Sequence, residues 1–391
     1  MRIAILQEHV AVQRGGAETS TLEMARHLAR LDLDVTIICR GESDRPFVDQ
    51  NVTFLPVVTP GISRAARTYR FIQGARARCH RERFDIVHAV TPCLAANVYQ
   101  PRGGTYPETV ERGLAQVRSP LLRDIKRLGR RFNVRQRFLS RIEHALLCKY
   151  RQRVFVAAVS EYVRRQVEAG FGFPTERIGV VFNGVDIAPL SEEEQAQHRS
   201  ALRAELGLST QTPLVFFVAH NFKLKGLAEL IRATALASQT SVEAHWTVVI
   251  AGRGEPRPYR RLARRLGVEA QVRFVGAATD IRHWYAAADV LAHPTWYDPC
   301  SRVVLEALSV GLPVVTTRYN GAAEAIEPGR HGEIIDEPDD LAGLAAALGR
   351  ALQPAVRTAC RADAPRLHEQ LSMARHAREL KAFYEHVLAT K

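Results

Sequence analysis

Two carboxylates, Asp298 and Glu306, are the residues of this 391-residue chain whose type and spacing most clearly suggest chemistry. Asp298-Pro299 is a helix-start signal, with Asp as the N-cap and Pro in the first turn, and Gly311 ends the apolar face that follows. Eight residues along a helix correspond to roughly 12 Å, about the distance from a sugar across a diphosphate to a ribose. The first-turn N–H groups between the two acids favour a bound phosphate. The alternative is that Asp298 only caps the helix and that Glu306 faces solvent.

Two further stretches have the composition of anion-binding turns. Lys225 precedes Gly226 at the start of a predicted helix, where an ammonium group is well placed for a diphosphate, and Lys223 lies two residues earlier. Near the N-terminus, Arg14-Gly15-Gly16 precedes another predicted helix, and glycines there let the backbone approach an anion. The glycine pair matches neither a GxGxxG fingerprint nor a P-loop, so a plain loop is the alternative interpretation.

The sequence around the two acids, EALSVGLPVVTT followed by NGAAE, resembles the EAxAxGxPVV…GxxE signature of the retaining GT-B glycosyltransferases. Within this large family, residues 219–310 are most similar to the lipopolysaccharide core glucosyltransferases. The resemblance implies that Asp298 faces the hydroxyls of the donor sugar and that Glu306 accepts hydrogen bonds from the ribose. It also implies that Lys225 contacts the donor phosphates, so that Lys225 and Asp298 form the catalytic pair. The first acid is commonly Glu in the family and is Asp in this chain.

The same resemblance assigns the remaining donor and acceptor candidates. The further donor-binding candidates, in the glycine loop, the lysine loop and the turn after Asp298, are Gly15, Gly16, Lys223, Ser301, Arg302 and Val303. The acceptor-side candidates are Arg14, His88, Arg102 and Tyr106. His88 occupies a family position in the strand D-I-V-H-A, and a satisfied half-buried histidine is the alternative. Relatives carry a His or an acid on the loop of residues 99–106, where Arg102 and Tyr106 are the polar candidates in this chain.

Predicted strands alternate with predicted helices along most of the chain, which is the pattern of parallel sheets. We therefore predict an α/β fold with two Rossmann-like domains whose parallel sheets face each other across a cleft, and the resemblance supplies the name GT-B. The expected domains are residues 1–187 on the acceptor side and residues 188–371 for the nucleotide sugar. The family pattern predicts that the last helix, in residues 372–391, crosses back to the first domain.

Composition narrows the class of protein. Apolar residues at 46% and charged residues at 24% are values of a globular chain. No apolar run reaches the ~18 residues needed to span a bilayer, and the N-terminal run is too short for a signal peptide, so a cytoplasmic location is expected. The six cysteines are scattered without a Cys-x-x-Cys pair, no Asp-x-Asp lies at the end of a predicted strand, and no His/Cys/Asp cluster has metal-ligand spacing. We therefore expect no metal and no cofactor.

Residues 111–153 carry most of the net charge of +13, because they contain thirteen Lys or Arg and only three acids. Apolar residues recur between these cations at steps of three and four, which predicts an amphipathic helix with a cationic face. We expect this segment to hold the chain on an anionic membrane surface, at the inner face of the membrane. A solvated surface helix is the alternative. Nucleic acid is not expected as a partner, because no helix-turn-helix, zinc or RNA-binding motif accompanies the charge.

The expected activity is transfer of a hexose from a nucleotide sugar to a glycan or lipid-linked acceptor with retention at the anomeric carbon. Resemblance favours UDP-glucose as the donor and lipopolysaccharide or another cell-envelope glycan as the product. A nucleotide-sugar hydrolase or epimerase on the same fold is the alternative enzyme. A non-catalytic binder of membranes or polyanions is the alternative of another class, and it rests on residues 111–153 alone.

Overall fold

The computed structural model describes residues 1–10, 16–41, 51–117, 119–130, 132–240 and 245–390. The chain divides into two compact units. Unit 1 consists of Met1–Asp186 together with Ser372–Lys391, and unit 2 consists of Ile187–Leu371. The first boundary lies one residue before the position expected from the sequence.

Unit 1 has a seven-stranded parallel sheet, counted over its described residues, in the order β3-β2-β1-β4-β5-β6-β7. Its strands are β1 (Arg2–Leu6), β2 (Asp34–Arg40), β3 (Val52–Val57), β4 (Ile86–Ala89), β5 (Val98–Tyr99), β6 (Phe155–Ala158) and β7 (Ile178–Val180). Its helices are α1 (Gly16–Ala29), α2 (Arg64–Glu82), α3 (Tyr106–Ala115), α4 (Pro120–Arg130), α5 (Val134–His144), α6 (Glu161–Phe171) and the C-terminal α14 (Met373–Ala389).

Unit 2 has a six-stranded parallel sheet, again counted over the described part, in the order β10-β9-β8-β11-β12-β13. Its strands are β8 (Leu214–Val218), β9 (Thr247–Ala251), β10 (Val272–Gly276), β11 (Val290–His293), β12 (Val314–Thr317) and β13 (Gly332–Ile335). Its helices are α7 (Glu192–Glu205), α8 (Leu227–Thr240), α9 (Arg257–Arg265), α10 (Ile281–Ala287), α11 (Arg302–Ser309), α12 (Leu341–Ala351) and α13 (Pro354–Gln370). Two Rossmann-like parallel sheets confirm the predicted fold class.

The central strands are continuous apolar runs because both faces of each sheet are covered. In β1, Ile3 and Ile5 pack into one core cluster with residues of α1 and α14, whereas Ala4 and Leu6 pack into a second cluster with residues of α2. All four side chains are fully buried. Successive residues of a strand point to opposite faces, so a strand covered on both sides loses the polar alternation of a half-exposed one.

Helix α14 belongs to unit 1, although the whole of unit 2 precedes it in the sequence. Its buried face packs in the cluster that contains Ile3 and Ile5, and it consists of Met373, Ala377, Leu380, Tyr384 and Val387. Gly184 lies against the start of the helix, and a Cβ atom there would be 2.7 Å from the carbonyl oxygen of Ser372. A side chain at residue 184 would therefore clash with the start of α14 and displace the helix from its packing position in unit 1.

The basic segment and the helix after Asp298 differ from expectation. Residues 111–153 do not form one amphipathic helix but cover the end of α3, then α4, α5 and a π-helical turn at Ala145–Lys149. The expected helix over residues 299–310 begins only at Arg302. Among the described strands, β3 had no counterpart in the prediction, because Pro56 and Thr53 interrupt its apolar run.

Candidate functional site

Sheet topology brings Lys225 and Asp298 together. In unit 2 the strand order reverses between β8 and β11, and ligands of open α/β sheets bind at the carboxyl ends of strands at such a switch point. Lys225 lies in the turn after β8, and Asp298 lies in the loop after β11. The two residues are far apart in sequence, but the carboxyl ends of the neighbouring parallel strands β8 and β11 bring them to the same edge of the sheet.

The ammonium group of Lys225 donates a hydrogen bond of 2.5 Å to Oδ2 of Asp298. Lys225 also lies 3.3 Å from the carbonyl oxygen of Tyr297. Burial alone would raise the pKa of Asp298, but the positive charge of Lys225 and a hydrogen bond from His293 outweigh it, so the pKa is held well below its usual range. Asp298 is therefore ionised at neutral pH, and the pair places a fixed cation and a fixed anion side by side.

Gly226 sets the position of Lys225. Its φ of +79° is in the left-handed region, and a Cβ atom at this residue would lie 2.0 Å from the carbonyl oxygen of Pro294. The turn after β8 therefore passes directly over the loop after β11, and only glycine permits that approach. The Lys-Gly pair that the sequence offered as an anion-binding turn has a steric reason as well.

His293, at the carboxyl end of β11, is a site residue that the sequence analysis did not propose. Its Nε2 atom lies 3.6 Å from Oδ2 of Asp298 and 3.3 Å from the hydroxyl of Ser301. Burial is the main cause that lowers the pKa of His293, and Lys225 lowers it further, so the ring is neutral at pH 7. The signal that could have identified it is its place at the end of a parallel strand.

Asp298 is not the N-cap of α11, contrary to the expectation from the Asp-Pro signal. Its Oδ1 atom accepts from the N–H of Cys300 at 3.3 Å, and Ser301 is the N-cap residue of the helix. The Ser301 side chain makes no capping bond, and the N–H of Ser301 donates to Oδ1 of Asn320 at 3.1 Å. Asp298 thus leaves its Oδ2 atom to Lys225 rather than to the helix.

Glu306, on the second turn of α11, has both carboxylate oxygens engaged. Arg302 donates to Oε1 at 3.1 Å, and the hydroxyl of Tyr285 donates to Oε2 at 3.0 Å. The Tyr285 hydroxyl also lies 3.4 Å from the carbonyl oxygen of Val303. Glu306 therefore is not the solvent-facing residue of the alternative interpretation, since its side chain is only 13% exposed. A carboxylate has about four acceptor positions, so these two bonds leave room for further donors.

Two of the other predicted donor residues, Lys223 and Gly16, lie in the described part of the chain, and two further candidates do not. Lys223 is exposed in the turn after β8, and Gly16 is the first residue of α1. Gly15 and the acceptor-side candidate Arg14 lie outside the described residues.

The acceptor-side candidates in unit 1 are mostly buried. Arg102 is 8% exposed, and its guanidinium donates to Oδ1 of Asn183 at 2.7 Å and also contacts Ser20 on α1. His88 is fully buried, and its Nδ1 atom shares a hydrogen bond of 2.5 Å with the hydroxyl of Tyr384. The burial of His88 and the nearby charge of Arg102 lower its pKa to about 3. His88 is thus more buried than the half-buried alternative, and its Nε2 atom has no hydrogen-bond partner among the described residues, so its acceptor-side role stays a prediction.

Tyr106 is the first residue of α3 and is partly buried. Its backbone N–H donates to Oε2 of Glu143 at 2.8 Å, and Oε1 of Glu143 accepts from the hydroxyl of Tyr99 at 2.7 Å. Burial raises the pKa of Glu143 to about 7. The Glu143 carboxyl therefore holds both ends of the loop of residues 99–106, through the Tyr99 hydroxyl and the Tyr106 backbone N–H.

A polar cluster that the sequence analysis missed lies at the switch point of unit 1, where the order reverses between β1 and β4. Glu8, just after β1, is 3% exposed and accepts from Thr68 at 2.7 Å and from Arg135 at 2.8 Å. The guanidinium of Arg40 lies 3.8 Å from the same carboxylate. Two arginines on one buried acid give this edge a net positive charge. Only the position of Glu8 after the first strand could have indicated it.

Within the described ranges, no group of three or more His, Cys, Asp or Glu side chains has the arrangement of a metal site. In the same part of the chain, no helix has the length and apolar composition required to cross a membrane.

Two family models and a curated relative match this chain. Residues 14–189 match the family model described as Glycosyltransferase Family 4, and residues 212–354 match the model described as Glycosyl transferases group 1. The chain is 32% identical over 177 residues to the lipopolysaccharide glucosyltransferase WaaG of Escherichia coli K12, a match that covers 45% of this chain and 47% of WaaG. The chain is thus matched over about half the length of this curated relative.

Two solved structures share the fold over nearly the whole chain. A crystal structure of WaaG, a glycosyltransferase involved in lipopolysaccharide biosynthesis, superposes with a TM-score of 0.76 at 22% identity and covers 97% of this chain and 98% of its own. Anabaena Alr3699/HepE in complex with UDP-glucose superposes with a TM-score of 0.68 at 20% identity and covers 100% of both chains.

Proposed function

We propose that this chain, which belongs to the GT-B glycosyltransferases, transfers a hexose from a nucleotide sugar to a glycan or lipid-linked acceptor with retention at the anomeric carbon. The observation that carries the proposal is the Lys225–Asp298 pair at the switch point of unit 2. A cation next to an anion at this edge suits a donor that presents both a diphosphate and sugar hydroxyls.

Each residue of the unit 2 site has a distinct task in this proposal. Lys225 stabilises the charge that grows on the diphosphate as the bond between the anomeric carbon and the phosphate oxygen breaks. Asp298 accepts hydrogen bonds from the sugar hydroxyls, and neutral His293 keeps that carboxylate in place. Glu306 binds the ribose hydroxyls. The new bond joins the acceptor oxygen to the anomeric carbon, the acceptor's proton passes to the oxygen of the leaving diphosphate, and no protein nucleophile is assigned.

We further propose that the reaction needs no metal. The leaving diphosphate would be neutralised by Lys225 and by the first-turn N–H groups of α11, an arrangement in which preorganised protein dipoles replace a cation. Ser301 and Arg302 start that helix within the same loop as Asp298.

UDP-glucose is our preferred donor, and a lipopolysaccharide or other envelope glycan is our preferred acceptor. HepE was crystallised with UDP-glucose, and WaaG is named a lipopolysaccharide glucosyltransferase. Both statements concern those proteins, and they support the choice for this chain only by similarity. We assign the acceptor to the Glu8 cluster of unit 1, because Arg40 and Arg135 offer charged donors to a polar glycan there.

Unit 1 also carries a surface that we propose rests on the inner face of a membrane. Four apolar side chains of α4, Leu121, Leu122, Ile125 and Leu128, are 54–71% exposed, and Phe132 beyond its end is 78% exposed. A surface helix normally turns its apolar face to the core, and an apolar face in solvent marks a contact site. The surrounding Lys and Arg residues favour an anionic lipid surface over a neutral protein partner.

The experiment that tests the proposed function is a transfer assay with the intact chain and a panel of UDP-, GDP- and ADP-hexoses, using lipopolysaccharide core fragments as acceptors. We expect acceptor-dependent release of UDP from UDP-glucose, and the product should keep the anomeric configuration of the donor by NMR. Release of free glucose or of an epimer without acceptor would instead support the hydrolase or epimerase. Activity should persist in excess chelator, and its loss there with rescue by one divalent ion would contradict the metal-free proposal.

A further inference from the structure

Unit 2 contains a second concave site at the opposite edge of its sheet. A cavity of about 740 Å³ lies between α7 and α13, next to the end of α11, and both Arg199 and Arg361 line it. A small adjoining pocket shares Arg361 and reaches Asp289 and Arg357. Asp289 immediately precedes β11, whereas Asp298 follows that strand, so this cavity lies at the amino edge of the sheet. Its lining residues take no part in the donor site proposed above.

The floor of this site has more positive than negative charge. The carboxylate of Asp289 is buried and lies 2.6 Å from Arg199, 3.3 Å from Arg203 and 2.7 Å from Arg357. Arg199 and Arg203 each donate at 2.9 Å to the carbonyl oxygen of Ala287, at the end of α10. Those two arginines therefore have a structural task. A single carboxylate neutralises only one of the three guanidinium charges, so a net charge of two remains at this floor.

Arg357 and Arg361 add like charges on one helix. They are four residues apart on α13, an arrangement in which equal charges repel. The guanidinium of Arg357 pairs with Asp289, whereas the exposed side chain of Arg361 has no hydrogen bond or ion pair to any residue that the structure describes. The acid on the cavity wall is Glu192, in the first turn of α7. An anion between α7 and α13 would relieve the repulsion.

A further observation concerns His368, one of the residues that line the cavity. The Nδ1 atom of His368 is buried and has no hydrogen-bond partner among the described residues. Buried polar atoms of folded proteins are nearly always hydrogen-bonded, and the exceptions often mark the place of a water, an ion or a ligand. His368 lies on the same helix as Arg361, two turns later.

We propose that this cavity is a binding site for a small phosphorylated molecule, distinct from the nucleotide-sugar site. The phosphate lies against Arg361 and Arg357, since a guanidinium pairs with phosphate through two parallel hydrogen bonds. The remainder of the ligand lies against the apolar wall formed by Pro189, Ala196, Ala364 and Pro365. Ligand pockets span roughly 300–1,000 Å³, so the volume fits a sugar phosphate or a nucleotide.

The test measures binding of inorganic pyrophosphate to the intact chain by calorimetry. All variants carry Lys225→Ala, which weakens the pyrophosphate binding expected at the donor site. In this background Arg361→Ala should weaken the remaining binding about tenfold or more, because it removes a charged bidentate donor. The matched control is Arg366→Ala, an exposed arginine of the same helix that pairs with Asp363 at 3.3 Å and does not line the cavity. The control should retain the affinity within a factor of about 2.

Arg361→Gln, which keeps most of the side-chain length without the charge, should reproduce the loss seen with Arg361→Ala. Arg361 is exposed and its charge repels that of Arg357, so the unliganded melting temperature of each variant should not fall below that of its parent. The proposal is overturned if the Lys225→Ala parent shows no saturable pyrophosphate binding up to millimolar concentration. Equal effects of Arg361→Ala and Arg366→Ala would overturn it as well. Neither result would contradict the proposed transferase activity, because the transfer assay tests that activity separately with the unsubstituted chain.

Discussion

At the scale of single residues, Lys225 and Asp298 form an ion pair with a 2.5 Å contact. Their side chains are 18% and 14% exposed, so the pair lies in a partly desolvated place where charge interactions are stronger than in bulk water. Under the proposed function, a bound donor replaces this contact, with its diphosphate on Lys225 and its sugar hydroxyls on Asp298.

We predict that Lys225→Ala lowers kcat by about 10²–10³, the usual effect of removing one electrostatic stabiliser of a developing anion. The matched control is Lys223→Ala, two residues earlier on the same turn, where the side chain is exposed. This control should change kcat by a factor of about 5 or less, since exposed charges contribute ~0.2–1 kcal/mol. Steady-state kinetics with UDP-glucose decides between them. Equal losses in the two variants would mean that general positive charge, and not the Asp298 contact, governs the rate.

The sequence analysis proposed candidate site residues that have a characteristic residue type and local pattern. It did not propose residues whose importance depends on their position in the fold. Lys225, Asp298 and Glu306 stand in recognisable local patterns, and the structure gives each a partner in unit 2. His293 and Glu8 have no such pattern around them, because what makes them notable is the burial supplied by strands distant in sequence. The same tertiary burial turned His88 into a core residue.

At the scale of elements, helix boundaries were the least predictable feature. Asp298-Pro299 is a good start signal, but Lys225 competes for the carboxylate, so α11 begins three residues beyond Pro299, at Arg302. The edge strand β3 was missed because Thr53 and Pro56 interrupt its short apolar run. Strands buried on both faces, such as β8 and β11, were predictable since their apolar runs are uninterrupted.

The attachment of α14 to unit 1 has a polar component that can be tested. Tyr384→Phe removes the hydroxyl that hydrogen-bonds Nδ1 of His88, and both groups are fully buried. Leaving that nitrogen unpaired should lower the free energy of unfolding of unit 1 by about 1–3 kcal/mol. Hydrogen exchange of the α14 amides should accelerate accordingly. The control is Tyr162→Phe, whose hydroxyl bonds Glu108 at 2.9 Å in a partly exposed position and whose loss should cost less. Unchanged exchange in α14 would show that apolar packing alone holds it.

At the scale of the whole molecule, the alternation of strands and helices was sufficient to predict two parallel sheets. Composition did not show which of the positively charged helices also exposes an apolar face. Two helices show the difference. In α9, five arginines are exposed and Leu262 and Ala263 are buried, which is the ordinary pattern of a surface helix. In α4 the cations accompany an exposed apolar face. Charge density alone does not distinguish them, and only the packing shows which apolar face is turned outward.

This contrast leads to a prediction for membrane binding. The intact chain should sediment with vesicles of anionic lipid and not with neutral vesicles, since each Lys or Arg near such a surface contributes on the order of 1 kcal/mol. Replacing Leu121, Leu122, Ile125 and Leu128 by Ser should abolish or strongly weaken sedimentation at 0.15 M salt, because the exposed apolar face is lost while every charge remains.

The matched control replaces Arg257, Arg260, Arg261 and Arg264 of α9 by Ser, which removes charge from a helix without an exposed apolar face. This control should sediment nearly as well as the wild type if α4 is the contact surface, and lose binding if net charge alone is responsible. Raising the salt shortens the Debye length from ~10 Å at 0.1 M to ~3 Å at 1 M, so binding of the wild type should weaken across the series. Equal binding to anionic and neutral vesicles would mean that apolar contact alone, and not charge, drives the binding. Absence of binding to either kind of vesicle at low salt would contradict the proposed membrane surface.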